Sequence, residues 1–293
     1  MRPWLIALAA LIAAPALAQP AKPATMAEIL NASSPSDWRT PNSDDLVYFE
    51  LATGRVIIEL APDFAPNHVA NIKALIRENY FDGLSINRVQ ENYVVQWGDP
   101  EETNKRPMKA GKVALPAEFD RPITLGFPFT KLPDADGYAT WAGFTKGFPV
   151  ARGQGRTWLT HCTGMVGAGR DNGADTGSGA ELYVVIGHAP RNLDRNVTLV
   201  GRVLQGMSLL TVLPRGTGPL GFYEKPAQRV PITSMRLAAD VPETQRTKLE
   251  VFRTDTEAFR HLIEARRNRR DEWYVRAQNF IDLCNVPIPV RSP

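Results

Sequence analysis

The chain has 293 residues, 34 Lys and Arg against 31 Asp and Glu, a formal net charge of +3 and a 43% hydrophobic content. That balance excludes a disordered chain and a dedicated nucleic-acid binder, which concentrates basic charge on one surface. The 22 Gly and 24 Pro interrupt any long coiled coil, and two Cys are too few for a disulfide-dense miniature or a zinc site with three or four Cys ligands.

The first 18 residues read as an export signal. Arg2 supplies the positive end, Trp4 to Leu17 is an uncharged apolar run, and Ala16-Leu17-Ala18 is the small-x-small pattern, so cleavage is expected after Ala18. That run is too short to cross a bilayer comfortably, and no later run approaches ~20 apolar residues, so no membrane span is expected. The mature chain is expected in the periplasm or outside the cell. Residues 19–45 are rich in Pro, Ser and Ala and read as a linker, with one short helical possibility at Met26 to Leu30.

Leu46 to Leu51 and Arg55 to Leu60, around Thr53-Gly54, predict two strands joined by a tight turn. Val69, Ile72, Leu75 and Ile76 recur at helical spacing and predict a helix over Pro66 to Asn79. Short strands follow at Leu84 to Val89 and Tyr93 to Trp97. Residues 100–160 show little clean periodicity and carry many Gly and Pro with scattered aromatics. Strand patterns return at Thr163 to Ala168, Leu182 to Ile186, Val197 to Val203 and Val230 to Leu237, with a short helix at Leu204 to Leu213. Many short strands and few helices predict a mainly β, closed barrel. Residues 238–293 read as a helical extension: Thr254-Asp255-Thr256-Glu257 is a capping-box pattern, Phe259, Leu262 and Ile263 continue it, and Arg266 to Arg270 carry cations at its C-terminal end.

The conventional chemistries find no footing. His68, His161, His188 and His261 are isolated in sequence and read as surface or capping residues, so no metal site is expected. Gly164 to Arg170 lacks the Lys-Ser/Thr end of a P-loop and the context of a dinucleotide site. Ser178 has no nucleophile elbow. No cofactor is expected.

Ser85-Ile86-Asn87-Arg88-Val89, continued by Tyr93-Val94-Val95-Gln96-Trp97-Gly98-Asp99, resembles the cyclophilin family of peptidyl-prolyl isomerases in its FHR-x-x-x-x-F-M-x-Q-x-GD stretch. GRVIIEL, HVANIKAL and YFDGLSINRV agree upstream; GMVGAGRDNGADTGSGAELYVVIG and NLDRNVTLVGRVLQGM agree downstream. These ordered blocks cover residues 46–237. The resemblance implies a closed eight-stranded antiparallel barrel capped by two helices, cis–trans isomerisation of X–Pro bonds without a cofactor, and Pro-containing peptides and unfolded proteins as partners.

The resemblance also implies the site. Arg88 takes the catalytic arginine position, and its guanidinium stays charged at any relevant pH. Gln96 takes that of the glutamine holding the arginine and the substrate backbone. Tyr93 and Val94 line the proline pocket. Ala168, Gly169 and Arg170 stand where the family has its Met-Ala-Asn backbone platform, and Glu181 stands at a glutamine position. Leu182 and Tyr183 replace a Phe-Phe pair, with Tyr183 keeping an aromatic floor. Leu193 keeps a leucine, while Asn192 and Val197 replace a Trp and a His. The alternatives are a salt-bridged surface role for Arg88 and ordinary barrel packing for Val94.

Set against the family, the chain is longer between Asp99 and Gly164, which implies a loop-rich insertion around 121–161, and two readings compete for it: a lid beside the groove, or a packed excursion covering barrel surface. The Arg-rich helix end either meets an acidic partner or anionic surface or is compensated by Glu264, Asp271 and Glu272. In an oxidising compartment, Cys162 and Cys284 are expected to form a disulfide pinning the tail to the barrel, the alternative being two free thiols. Asn192, Val197 and Glu181 keep open a peptide-binding chaperone or scaffold with little turnover.

Overall fold

Alternation and turn chemistry place the barrel strands, and burial on both faces hides the rest. The computed structural model describes residues 24–293 except Glu102, Ala174, Arg270 and Glu272. The expected signal and its cleavage point lie outside the described residues. In chain order, α1 (Met26–Ala32) and β1 (Trp38–Arg39) precede the hairpin of β2 (Leu46–Leu51) and β3 (Gly54–Leu60), in which Leu46 pairs with Glu59 and Leu51 with Gly54. Next come α2 (Pro66–Arg77), β4 (Ser85–Val89) and β5 (Val94–Gly98). The insertion carries β6 (Arg121–Pro122), β7 (Thr130–Lys131), β8 (Trp141–Thr145), β9 (Phe148–Gly153) and β10 (Arg156–Leu159). Then follow β11 (Met165–Ala168), β12 (Leu182–Val185), β13 (Leu199–Gln205), α3 (Met207–Thr211) and β14 (Val230–Leu237). The chain ends with β15 (Glu250–Phe252), α4 (Glu257–Arg267) and β16 (Val290–Arg291).

Eight strands close into an antiparallel barrel in the order β11-β12-β5-β4-β14-β2-β3-β13, sealed by the pairing of β13 with β11. Closure removes the exposed strand edges. Phe49, Val56, Ile58, Ile86, Val95, Trp97, Val184 and Met235 fill its interior, with Phe49 stacked on Trp97 at 4.8 Å. Ile72 and Leu75 of α2 and Leu210 of α3 pack into the same core. Among the described residues no helix is long and apolar enough to cross a membrane.

Three expectations are corrected. The insertion is not loop-rich: it forms a five-stranded antiparallel sheet, β6-β10-β9-β8-β7. Ala142, Phe144, Phe148 and Val150 are buried and neighbouring positions are buried too, so the period-two signal is lost. Residues 24–45 are not simply a linker. Thr25 caps α1 reciprocally with Glu28, and β1 joins β15 and β16 in a three-stranded sheet with Trp38 edge-on to Phe252 at 4.8 Å. Few apolar residues specify this segment, and tertiary packing supplies its structure. The C-terminal extension contains two strands besides its helix, and α4 is capped by Thr256, which accepts the Phe259 N–H. Thr254 instead accepts from the Gly147 N–H in the insertion.

These three segments share one second core. Phe144, Phe148 and Val150 from the insertion, Trp38 from the N-terminal segment, and Phe252, Phe259, Leu262 and Leu283 from the extension pack together against Phe64, Met165 and Leu199 of the barrel domain. Cys162 and Cys284 are joined by a disulfide at its margin. Arg267 at the end of α4 donates to Asp134 of the insertion at 2.6 and 2.7 Å and to Glu264 at 2.9 Å. That part of the Arg cluster is therefore compensated within the chain.

Candidate active site

β4, β5 and β12 lie side by side in the barrel wall, and their register assembles the site. Arg88 is opposite Gln96, and Gln96 is opposite Tyr183 on its other side. Arg88 Nη1 donates to Gln96 Oε1 at 3.0 Å, and Gln96 Nε2 donates to Glu181 Oε2 at 3.2 Å. The Glu181 carboxylate therefore sets which way the Gln96 amide points, leaving its oxygen for the guanidinium. Lys105 Nζ donates to the other Glu181 oxygen at 3.1 Å. Gly98 makes this approach possible, since a Cβ there would lie 2.7 Å from Glu181 Cγ.

Arg88 is held on two more sides. Its Nε donates to the Leu220 carbonyl at 2.7 Å and its Nη2 to Gln90 Oε1. The rings of Tyr93 and Phe222 lie 5.6 and 5.4 Å from the guanidinium carbon. No carboxylate forms an ion pair with Arg88 among the described residues. Burial lowers the guanidinium pKa from its ordinary value, partly opposed by Tyr93, and the group remains a cation.

A cavity of about 650 Å³ opens in front of Arg88. Tyr93, Val94, Gln96, Gly169, Arg170, Glu181, Tyr183, Leu193 and Val197 all line it. Val94 and Tyr183 pack with Val185, Tyr93 and Val197 in an apolar cluster separate from the barrel core, which forms the cavity floor. Ala168, expected as part of a backbone platform, does not line the cavity with its side chain. It is fully buried and points into the barrel core with Val166, because side chains alternate along β11. Asn192 is not among the lining residues.

Sequence reasoning missed part of the wall. Leu220 and Phe222 are exposed apolar side chains that line the cavity, and Phe222 makes a lone β-bridge with Arg88. Their segment reads as Gly-rich turn, GTGPLGFY, and the available signal was two large apolar residues flanking Gly221. The reading of the histidines as surface or capping residues is corrected for two of them. His68 is buried, with Nδ1 2.6 Å from Glu118 Oε2 and Nε2 3.1 Å from the Thr176 and Gly177 carbonyls, so it ties α2 to the segment leading to Glu181. Burial raises the Glu118 carboxyl pKa, but hydrogen bonds from Asn67 and His68 outweigh it and hold the pKa below its ordinary value. His161 is buried as well, with Nε2 2.8 Å from Tyr183 Oη.

A family model described as cyclophilin type peptidyl-prolyl cis-trans isomerase/CLD matches residues 46–237. The chain belongs to the cyclophilin family. It is similar to a probable peptidyl-prolyl cis-trans isomerase of Brucella suis, 29% identical over 174 residues, 59% of this chain and 74% of that one. It is also similar to the human peptidyl-prolyl cis-trans isomerase-like 1, 24% identical over 209 residues, 71% of this chain and 96% of that one. Among solved structures, the cyclophilin AquaCyp293 from Hirschia baltica matches at a TM-score of 0.69 and 27% identity, covering 92% of this chain and 97% of that one. That likeness reaches well beyond residues 46–237 and so takes in segments of the second core. This cyclophilin is a peptidyl-prolyl cis–trans isomerase that acts on Pro-containing peptides.

Proposed function

We propose that this cyclophilin isomerises X–Pro bonds in exported, incompletely folded polypeptides, with Arg88 stabilising the twisted amide. The observation that carries this reading is a cation held by three neutral acceptors, unpaired with any described carboxylate, beside an apolar cavity floor. Rotation about X–Pro breaks amide resonance against a barrier near ~20 kcal/mol. As the bond twists, the prolyl nitrogen pyramidalises and gains a lone pair that a guanidinium N–H can meet. Neither planar ground state offers that acceptor, so the interaction favours the transition state selectively. Tyr93, Val94, Tyr183, Leu193 and Val197 receive the proline ring. In a proline-peptide assay, Arg88→Ala is expected to lower kcat/KM by about 10²–10³, the scale for removing one preorganised donor.

The export signal read in residues 1–18 and the Cys162–Cys284 disulfide support a periplasmic or extracellular location, because disulfides persist in oxidising compartments. Fractionation followed by N-terminal sequencing is expected to find a mature protein starting at Gln19; a cytoplasmic full-length chain would overturn that location.

One observation favours a second reading, a peptide-holding chaperone with slow turnover. Gln96 Nε2 gives one of its two N–H donors to Glu181, which leaves a single one for a substrate backbone. Turnover and peptide affinity measured separately decide between the two readings, since a holder binds without accelerating exchange.

A further inference from the structure

Tyr183 faces Gly167 across the β11–β12 pair, and a Cβ at Gly167 would lie 2.3 Å from the tyrosine Oη and Cζ. The missing side chain lets the ring lie across β11 and reach His161. There the Tyr183 hydroxyl is 2.8 Å from His161 Nε2, and His161 Nδ1 is 3.0 Å from Asp194 Oδ1, which also accepts the His161 backbone N–H at 2.9 Å. With Nδ1–H donating to the carboxylate, Nε2 is left to accept from the Tyr183 hydroxyl. Burial raises the phenol pKa well above its ordinary value, so it stays a donor. The chain of contacts continues. Arg191 Nε donates to Asp194 Oδ2 at 2.6 Å, and its two Nη atoms donate to both oxygens of Asp136 at 2.8 and 3.0 Å. Asp136 lies in the insertion, between β7 and β8. The His161, Asp194, Arg191 and Asp136 side chains are all at least nine-tenths buried.

Burying two carboxylates and a guanidinium carries a desolvation penalty that apolar packing of the same volume avoids, so such a network is poor evidence of stability for its own sake. It is, however, directional: one end, Tyr183, bears on the cavity wall, and the other, Asp136, lies in the insertion. Tyr183 ends the relay, and Leu193, which lines the same cavity, lies between Arg191 and Asp194 in sequence. We propose that His161 is a positioning residue of the proline pocket, through which a buried relay from Asp136 of the insertion fixes the Tyr183 ring and hence the pocket floor. The insertion is thereby coupled to peptide binding without touching the peptide. This inference rests on reading the cavity as the peptide site, and its test is chosen to fail separately from the Arg88 mechanism.

The test is a double-mutant cycle read by peptide affinity. A tetrapeptide containing X–Pro is titrated against wild type, His161→Leu, Tyr183→Phe and the double variant, and exchange rates at saturation are measured by NMR. The proline ring contacts Tyr183 in both planar and twisted states, so loosening the ring weakens ground-state and transition-state binding together. His161→Leu is expected to weaken affinity about fivefold, the scale of one lost hydrogen bond, with a smaller change in saturated turnover. Tyr183→Phe is expected to match it, and His161→Gln, which can still accept from the phenol and donate to Asp194, to recover most of the loss. In the Tyr183→Phe background, His161→Leu is expected to change affinity less than twofold, because no hydroxyl remains to be held. Where the leucine variant does not fold, Asp136→Asn takes its place in the cycle. Equal losses in both backgrounds, or a lower melting temperature with unchanged affinity, would overturn the relay. Arg88→Ala matching wild type in turnover would sink the catalytic assignment alone, since the affinity cycle still decides the relay.

Discussion

At the cavity, Arg88 meets a carbonyl and two amides and keeps its charge unmatched; in the second core, Arg267 is clasped by the carboxylates of Asp134 and Glu264. Both guanidiniums are held on several sides, but the partners differ in kind. A matched ion pair fixes two segments together and leaves little field over. A cation fixed by neutral acceptors is equally oriented and still has its charge to offer to a developing lone pair. The barrel face thus keeps a cation free of any ion pair with a described carboxylate and the accessory core spends its cation on attachment, with the buried contacts from Asp136 through His161 to Tyr183 joining the two.

Perturbing the clasp is expected to have the largest effect on stability. The disulfide joins residues 122 apart in sequence, and replacing both cysteines by serine is expected to cost about 4–5 kcal/mol in the chain-entropy model, measured by urea unfolding. A loss under about 1 kcal/mol would show that the second core holds without it. Phe259→Ala empties the centre of that core, where Phe144 and Phe252 meet it edge-on and tilted at 5.0 and 6.3 Å. The expected loss is about 3–5 kcal/mol, with kcat/KM per folded molecule unchanged. A parallel fall in turnover would mean that attachment and chemistry are not separable. On the barrel face the opposite pattern is expected. Phe222→Ala removes part of the cavity wall and is expected to weaken peptide binding about fivefold while stability moves by no more than about 0.5 kcal/mol.

The smallest effect is a pH dependence in the accessory core. Hydrogen bonds from Arg267 hold the Asp134 carboxyl below the usual carboxylate range, helped by the Ile281 N–H and opposed by burial. A depressed folded-state pKa means that the unfolded chain takes up its proton first on acidification. The stabilisation is therefore fully present above the unfolded value, near ~3.9, and is lost as pH falls through the lower folded value. Melting temperature followed from neutral pH downward is expected to fall less steeply in Asp134→Asn than in wild type over that window. Identical slopes would remove Asp134 from the set of groups that fasten α4 to the insertion.

The barrel was legible because its strands are short, bounded by Gly and Pro, and interleaved with one clearly amphipathic helix. Arg88 and Gln96 were legible from motif spacing, since their pairing across β4 and β5 is local in sequence. The five-stranded insertion sheet was not, because residues buried on both faces of a strand erase the alternation that marks one. Within residues 24–45 the short helix at Met26 to Leu30 was legible, but β1 was not, because Trp38 pairs with Phe252, more than 200 residues away in the extension. The His161 relay was invisible for another reason: its members come from four separate stretches of chain, and no single stretch carries a recognisable spacing.

The central claim, that an unmatched cation on the barrel face lowers the barrier to prolyl rotation, is tested most directly by one comparison. Cis–trans exchange of an X–Pro peptide is measured by NMR with wild type and with Arg88→Ala, both shown to be folded by their melting transitions. Wild type is expected to accelerate exchange and Arg88→Ala to lose about 10²–10³ of that acceleration with its fold intact; a folded Arg88→Ala that accelerates exchange as well as wild type would contradict the claim.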